Sequence, residues 1–174
     1  MTHKLIFSND YDGRVHVDFE HVPAAGVRFV GPLGLLGELE QRAGLTCGEP
    51  KDSDRIERLK VAIADHISNH QDSIFKDSFE LDKDTVANRI LRWRDALVMA
   101  GWNATCNVDS PLLNELSLIE AAFDKAKEGG NYRSVSDRWI EVREYYKQNR
   151  IKGIEIEVVN DKSQINPTIL AILD

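Results

Sequence analysis

Cysteine is scarce in this chain: Cys47 and Cys106 are the only two in 174 residues, far apart, with no Cys-x-x-Cys pair. That usage excludes a disulfide framework and a Cys/His metal ladder, so both thiols read as packing or surface residues. Long apolar runs are also missing. A membrane helix needs about 18 apolar residues in succession, and no stretch comes near that. The opening ten residues hold only Leu5, Ile6 and Phe7 as an apolar group, unlike a secretory leader. A reduced, cytoplasmic protein without membrane contact is the expectation. Basic charge is in deficit, with 22 Lys and Arg against 29 Asp and Glu, a net charge of -7. Such a chain repels a phosphate backbone on average, so nucleic-acid binding requires its basic residues to cluster. What remains is 42% hydrophobic and 29% charged, with both signs mixed along the chain, the balance of one cored globular domain.

Periodicity divides the chain into a few strands around a helical block. Lys4 to Ser8 is a short strand, closed by a turn at Asn9-Asp10. Val15, Val17 and Phe19 alternate with His16, Asp18 and Glu20, which predicts a half-buried strand. Val27 to Val30 is a third strand candidate. Pro32 suits the first turn of a helix carrying Leu33, Leu35, Leu36 and Leu39, ended by Gly44. Ser53 is an N-cap candidate for a helix over 54–70, with Ile56, Leu59, Val61, Ile63 and Ile67 on one face. Phe75 and Phe79 share a face of a short helix. Asp82 or Asp84 caps a helix over 84–100 with a stripe of Val86, Ile90, Trp93, Leu97 and Val98. Gly101 ends it, and Trp102 folds back on its last turn. Pro111 opens a helix with Leu112, Leu116, Ile119 and Phe123, ended by Gly129-Gly130. Ser134 or Ser136 caps the next, with Trp139, Val142 and Tyr146. Ile154, Ile156 and Val158 then alternate with Glu155 and Glu157, a strand signal, and Asn166-Pro167 opens a last helix. The pattern predicts an α/β fold: a small, mostly parallel sheet with a large insertion of about five helices. It is expected to be one domain over 1–174, its sheet part at 1–45 and 151–174 and its helical block at 53–150. A single late strand followed by a half helix reads as an α/β unit cut short, so a longer parent chain is expected.

The usual catalytic patterns fail one by one. A phosphate-binding loop needs glycines, a lysine and a hydroxyl. The stretch from Gly31 through Gly34 to Gly37 has neither lysine nor Ser/Thr where they are needed, and its glycines lie among leucines on a helix. In the loop after the first strand, Asp10 and Asp12 would repel phosphate. His66 and His70 have metal-chelating spacing but no third ligand, so a solvated helix face is the simpler reading. Glu155 and Glu157 lack the following lysine of a metal-dependent nuclease, since Val159 stands there; they read as the solvent face of a strand. Arg89, Arg92 and Arg94 surround Trp93, but the tryptophan fits the apolar stripe and the arginines point away, as a solvated or interdomain face would. No Gly-x-Ser-x-Gly elbow occurs. No catalytic, cofactor-binding or metal residue is therefore assigned, no cofactor is expected, and nucleic-acid-binding residues stay unassigned.

Four segments together carry a resemblance: Phe7–Val15, the glycine–leucine helix Val30–Leu45, Ser78–Asp82, and Ile90–Trp102 with its Trp-Arg-Asp and Gly-Trp elements. They resemble the N-terminal region of a bacterial PD-(D/E)XK nuclease family, similar to the B subunit of AddAB/RexAB-type helicase–nucleases. The resemblance implies a superfamily I helicase-like core, incomplete here, that has lost motor function, with a nuclease and often an iron–sulfur cluster far downstream. It implies that the late strand returns beside the first. It also implies a role in double-strand break processing and recombination repair. The expected partners are the rest of a longer chain, DNA through that full-length protein, and a helicase–nuclease partner subunit. No nuclease residue of the family falls within this chain, and two cysteines do not make a four-cysteine cluster. The rival expectations are a standalone helical protein-interaction domain and a small nucleotide-binding enzyme with an unusual loop.

Overall fold

A computed structural model describes residues 3–12, 26–45, 51–104, 109–126 and 133–173. In chain order the elements are β1 (His3–Phe7), β2 (Val27–Val30), α1 (Pro32–Ala43), α2 (Asp52–Asn69), α3 (Lys76–Leu81), α4 (Lys83–Met99), α5 (Pro111–Ala126), α6 (Val135–Gln148), β3 (Ile154–Val158) and α7 (Pro167–Leu173). A single 3-10 turn, Lys162–Gln164, lies between β3 and α7. The fold is α/β, a small parallel sheet interrupted by a run of helices. The alternation at Val15, Val17 and Phe19 lies outside the described residues, as do Cys47, Cys106 and Gly129-Gly130.

Contacts group the chain into two compact units: Met1–Cys47 with Arg138–Asp174, and Gly48–Asp137. The first holds the sheet, in the order β2-β1-β3. Both pairings are parallel, with Phe7 opposite Val30 on one side and Val158 on the other. β1 is central because its alternate side chains, Leu5 and Phe7, are the ones that are buried. The glycine–leucine helix α1 buries Leu35, Leu36 and Leu39, and also Glu40. Arg138 on α6 meets Glu40 there with two parallel bonds, 2.7 Å from Nε and 2.6 Å from a terminal nitrogen. α1 ends where Gly44 adopts φ 68°, letting the Leu45 N–H return 3.0 Å to the Glu40 carbonyl.

The second unit is helical, and its core is built from Leu59, Ile63, Phe75, Phe79, Ile90, Leu116, Ile119 and Phe123 with smaller neighbours. α2 begins one residue before Ser53, with Lys51 in the capping position and no side-chain cap. Val61, assigned by spacing to its apolar face, is exposed. Of the two candidate caps for α4, Asp82 is the one used, accepting from the Thr85 N–H at 3.0 Å. Past Gly101 the chain folds back as its sequence implies, with the Trp102 N–H 2.9 Å from the Leu97 carbonyl and the indole against the core. Ser134 and Asp137 form a reciprocal box at the start of α6: the Ser134 N–H donates to Asp137 at 2.8 Å and the Asp137 N–H to Ser134 Oγ at 3.0 Å.

The face of α4 is rotated from the one its hydrophobic spacing predicts. Ala87, Ile90, Leu91, Arg94 and Val98 are buried, while Trp93 is 39% exposed. The tryptophan was expected in the stripe and the arginine in solvent. The reversal has an electrostatic cause. The Arg94 guanidinium reaches Glu120 at 2.9 Å, Asp95 at 2.9 Å, Ser134 at 3.3 Å and both oxygens of Asp137. Arg55 joins the cluster through Asp95 at 2.8 Å. A buried cation with its donors satisfied is tolerated where an unpaired one is not.

Candidate functional site

In open parallel sheets, ligands bind outside the carboxyl ends of the strands, where oppositely directed connections leave a crevice. Here those ends are Phe7, Val30 and Val158, all in the sheet-containing unit. Each is followed by a short polar segment: Ser8–Asp12 after β1, Gly31 before α1, and Val159–Gln164 after β3. The geometry of these segments decides what the crevice can hold.

Past the carboxyl ends of β1 and β3 the two following loops bond to each other. The Val159 N–H donates 3.0 Å to the Phe7 carbonyl, continuing the ladder. The Asn9 N–H donates to Asn160 Oδ1 at 2.8 Å, and Asn9 Nδ2 donates to the Gln164 carbonyl at 2.9 Å. Asp161 accepts from Ser163 N–H and Oγ at 2.8 and 2.6 Å, closing the 3-10 turn. Those two bonds hold its carboxyl below the usual range for aspartate.

The N-terminus of α1 is the second half of the site. A helix start offers bare N–H groups and a positive dipole end, which is how parallel-sheet folds bind phosphate. Gly31 occupies the capping position and has no side chain to satisfy them. The residue that does so is Asp12, arriving from the loop after β1. Its carboxylate accepts from the Leu33 N–H at 2.6 Å and from the Gly34 N–H at 3.3 Å. Pro32 carries no N–H, and the Leu35 N–H already donates to the Gly31 carbonyl at 2.8 Å. Every donor of the first turn is thus accounted for inside the chain, and a negative charge already sits on the dipole. Gly31 is required sterically as well: a Cβ there would land on the Asp12 backbone nitrogen and carboxylate.

The other residues singled out by sequence are not gathered at this site. Glu155 and Glu157 are exposed on β3, and Glu157 pairs with Lys4 at 2.6 Å. His66 is buried instead of solvated, stacked on His70 with ring centroids 4.6 Å apart and 3.2 Å from Glu115. Glu115 is also held by Ser73 Oγ at 2.6 Å and the Ile74 N–H at 2.8 Å, so His66 belongs to a packed polar cluster, while His70 is exposed. Among the described residues no three His, Cys, Asp or Glu side chains assemble as metal ligands. Arg94 is structural, and Gly34 and Gly37 sit within α1.

Sequence reasoning placed Asp12 in a turn and missed its grip on α1. One signal was present: a helix opening on Gly31-Pro32 has no capping side chain of its own, so a carboxylate must come from elsewhere. A second group was also missed. Arg42, Tyr145, Tyr146, Gln148, Asn149, Arg150 and Lys152 line an open basin of about 490 Å³ in the sheet-containing unit. Its signal was a run from Arg143 to Lys152 with four cations and one carboxylate around Tyr145-Tyr146. No helix among the described residues is long and apolar enough to cross a membrane. No protein-family model matches the chain, and no curated protein or solved structure does.

Proposed function

We propose that the chain is a non-catalytic, inactivated helicase-like domain of a helicase–nuclease-type protein that acts in double-strand break processing. One observation carries the proposal: the Asp12 carboxylate occupies the α1 N-terminus, where a motor domain on such a sheet would hold a nucleotide phosphate. A scaffold that keeps the parallel sheet and plugs its anion site is the expected product of losing ATP-driven movement while keeping a structural role. The four segments that resemble the nuclease family support the biological setting, and the sheet order agrees with the late strand returning beside β1. In this reading the domain's partners are the rest of a longer chain, DNA, and a helicase–nuclease partner subunit.

The test is genetic and biochemical together. Cells that lack the protein are expected to lose survival after induced double-strand breaks, and Asp12→Ala is expected to restore survival as well as the wild-type gene if the protein still accumulates. Undiminished survival in the deletion strain would remove the repair assignment.

A further inference from the structure

We propose that the basin between the ends of α1 and α6 binds single-stranded nucleic acid, with phosphates on Arg150 and Lys152 and a base against the Tyr145 ring. This deepens the DNA-processing reading and rests on it for the biological polymer, but its residues are separate from the Asp12 site.

The basin is chemically lopsided. Its lining has three cations and no carboxylate. Two of the cations are unused: neither Arg150 nor Lys152 has an ion-pair or side-chain hydrogen-bond partner among the described residues, and both are exposed. The neighbouring charges are spent. Glu38 binds Arg42 at 3.0 Å from Nε and 2.8 Å from a terminal nitrogen. The remaining Arg42 nitrogen donates to the Lys152 carbonyl at 3.2 Å, which fixes the backbone that carries Lys152. Glu144 is shared by Lys147 at 2.7 Å and Arg143 at 3.0 Å. A favourable helix dipole accounts for cations near the end of α6. It does not account for a concave wall of aromatic and amide groups beside them.

That wall has a fixed and an available member. Tyr146 is fixed, its hydroxyl donating to the Leu39 carbonyl at 3.2 Å, and burial first and the Tyr145 hydroxyl second raise its pKa above the ordinary value. Tyr145 meets it edge-on, centroids 5.0 Å apart at 83°, and is only half buried, so a planar ring face is held by a rigid neighbour. Asn149 Nδ2 donates to the Tyr145 carbonyl at 2.8 Å. Unpaired cations beside an anchored aromatic ring are the two elements of sequence-tolerant single-strand binding, charge for the backbone and stacking for the base. With a net charge of -7 on the chain, such binding requires a local excess of positive charge, and the basin supplies one.

The experiment is fluorescence anisotropy of a labelled oligothymidine, about 12 nucleotides long, titrated with the full chain at about 50 mM salt. The Arg150→Ala/Lys152→Ala variant is expected to bind at least about tenfold more weakly, with a salt slope shallower by about 1.4. Tyr145→Ala is expected to lose about tenfold and Tyr145→Phe to recover it, because the ring and not the hydroxyl is used. Unchanged circular dichroism accompanies each variant. Wild-type affinity in the double variant would overturn the basin while leaving DNA guidance elsewhere on the chain intact. Absence of any binding by the wild-type chain at low salt would overturn the basin as well, and leaves the repair reading to the survival test.

Discussion

Removing the Arg94 guanidinium tests whether electrostatics or hydrophobic spacing orients α4. Arg94 is 5% exposed and Glu120 7%, and Asp95 and Asp137 complete the ring of carboxylates. Burial alone would lower the hold of Arg94 on its proton; the hydrogen bonds it donates to Glu120 and then Asp137 outweigh it, so the group titrates above its ordinary value. Arg94→Ala leaves Glu120 and Asp137 facing each other in a water-poor interior. Breaking a buried pair from one side costs about 3–5 kcal/mol. With a urea m-value of about 2 kcal/mol per molar, the unfolding midpoint falls by about 2 M. That loss is a large share of the roughly 5–15 kcal/mol that domains possess. Arg94→Lys therefore provides a second reading: it keeps the charge, loses the planar fork, and is expected to fall between wild type and Arg94→Ala. The double variant Arg94→Met/Glu120→Leu is expected to be more stable than Arg94→Ala, because it removes a stranded charge along with its partner. Helicity followed by circular dichroism through the urea transition reports all three. A midpoint shift below about 0.5 M for Arg94→Ala would refute the reasoning and return the helix face to Trp93.

Three further outcomes follow from the caps and the plug. Gly31→Ala is expected to cost at least about 2 kcal/mol, since its methyl displaces the Asp12 backbone and the α1 cap with it; thermal unfolding measures the loss. Ser134→Ala removes the hydroxyl that accepts from the Asp137 N–H and is expected to cost about 1 kcal/mol in the same assay. The Thr85 backbone N–H, first among its bonds, holds the Asp82 carboxyl below its ordinary 3.8. The folded-state value is depressed, so this cap contributes fully above that ordinary value and is lost as pH falls through the lower folded one. The difference in melting temperature between wild type and Asp82→Ala is therefore expected to be largest near neutral pH and to shrink as pH falls below that ordinary value.

Local signals were enough for most of the architecture. The β1 and β3 runs, Pro32, Pro111 and Pro167 at helix starts, and Gly44 and Gly101 at helix ends each act within a few residues of themselves, and the chain obeys them. What escaped depends on residues distant in sequence. Arg94 is drawn inward by Glu120 and Asp137, which lie 26 and 43 positions away. His66 is buried because Glu115 waits on another helix. Asp12 is committed to an amide pair 21 and 22 positions on. Hydrophobic spacing ranks Trp93 above Arg94 for burial, and only the carboxylates brought by tertiary structure reverse that order. At the site, the sign of the charge near α1 was legible in the sequence but not its role: the aspartates read as repelling phosphate, whereas Asp12 caps the α1 N-terminus, a substitution for phosphate in the proposed reading.

Calorimetric titration of the chain with MgATP tests that substitution most directly. No saturable heat is expected for the wild-type chain, and adding nucleotide should leave its melting temperature unmoved. Stoichiometric binding of the triphosphate, lost on changing the α1 N-terminus at Gly31 to Gly34, would contradict a plugged and motorless sheet.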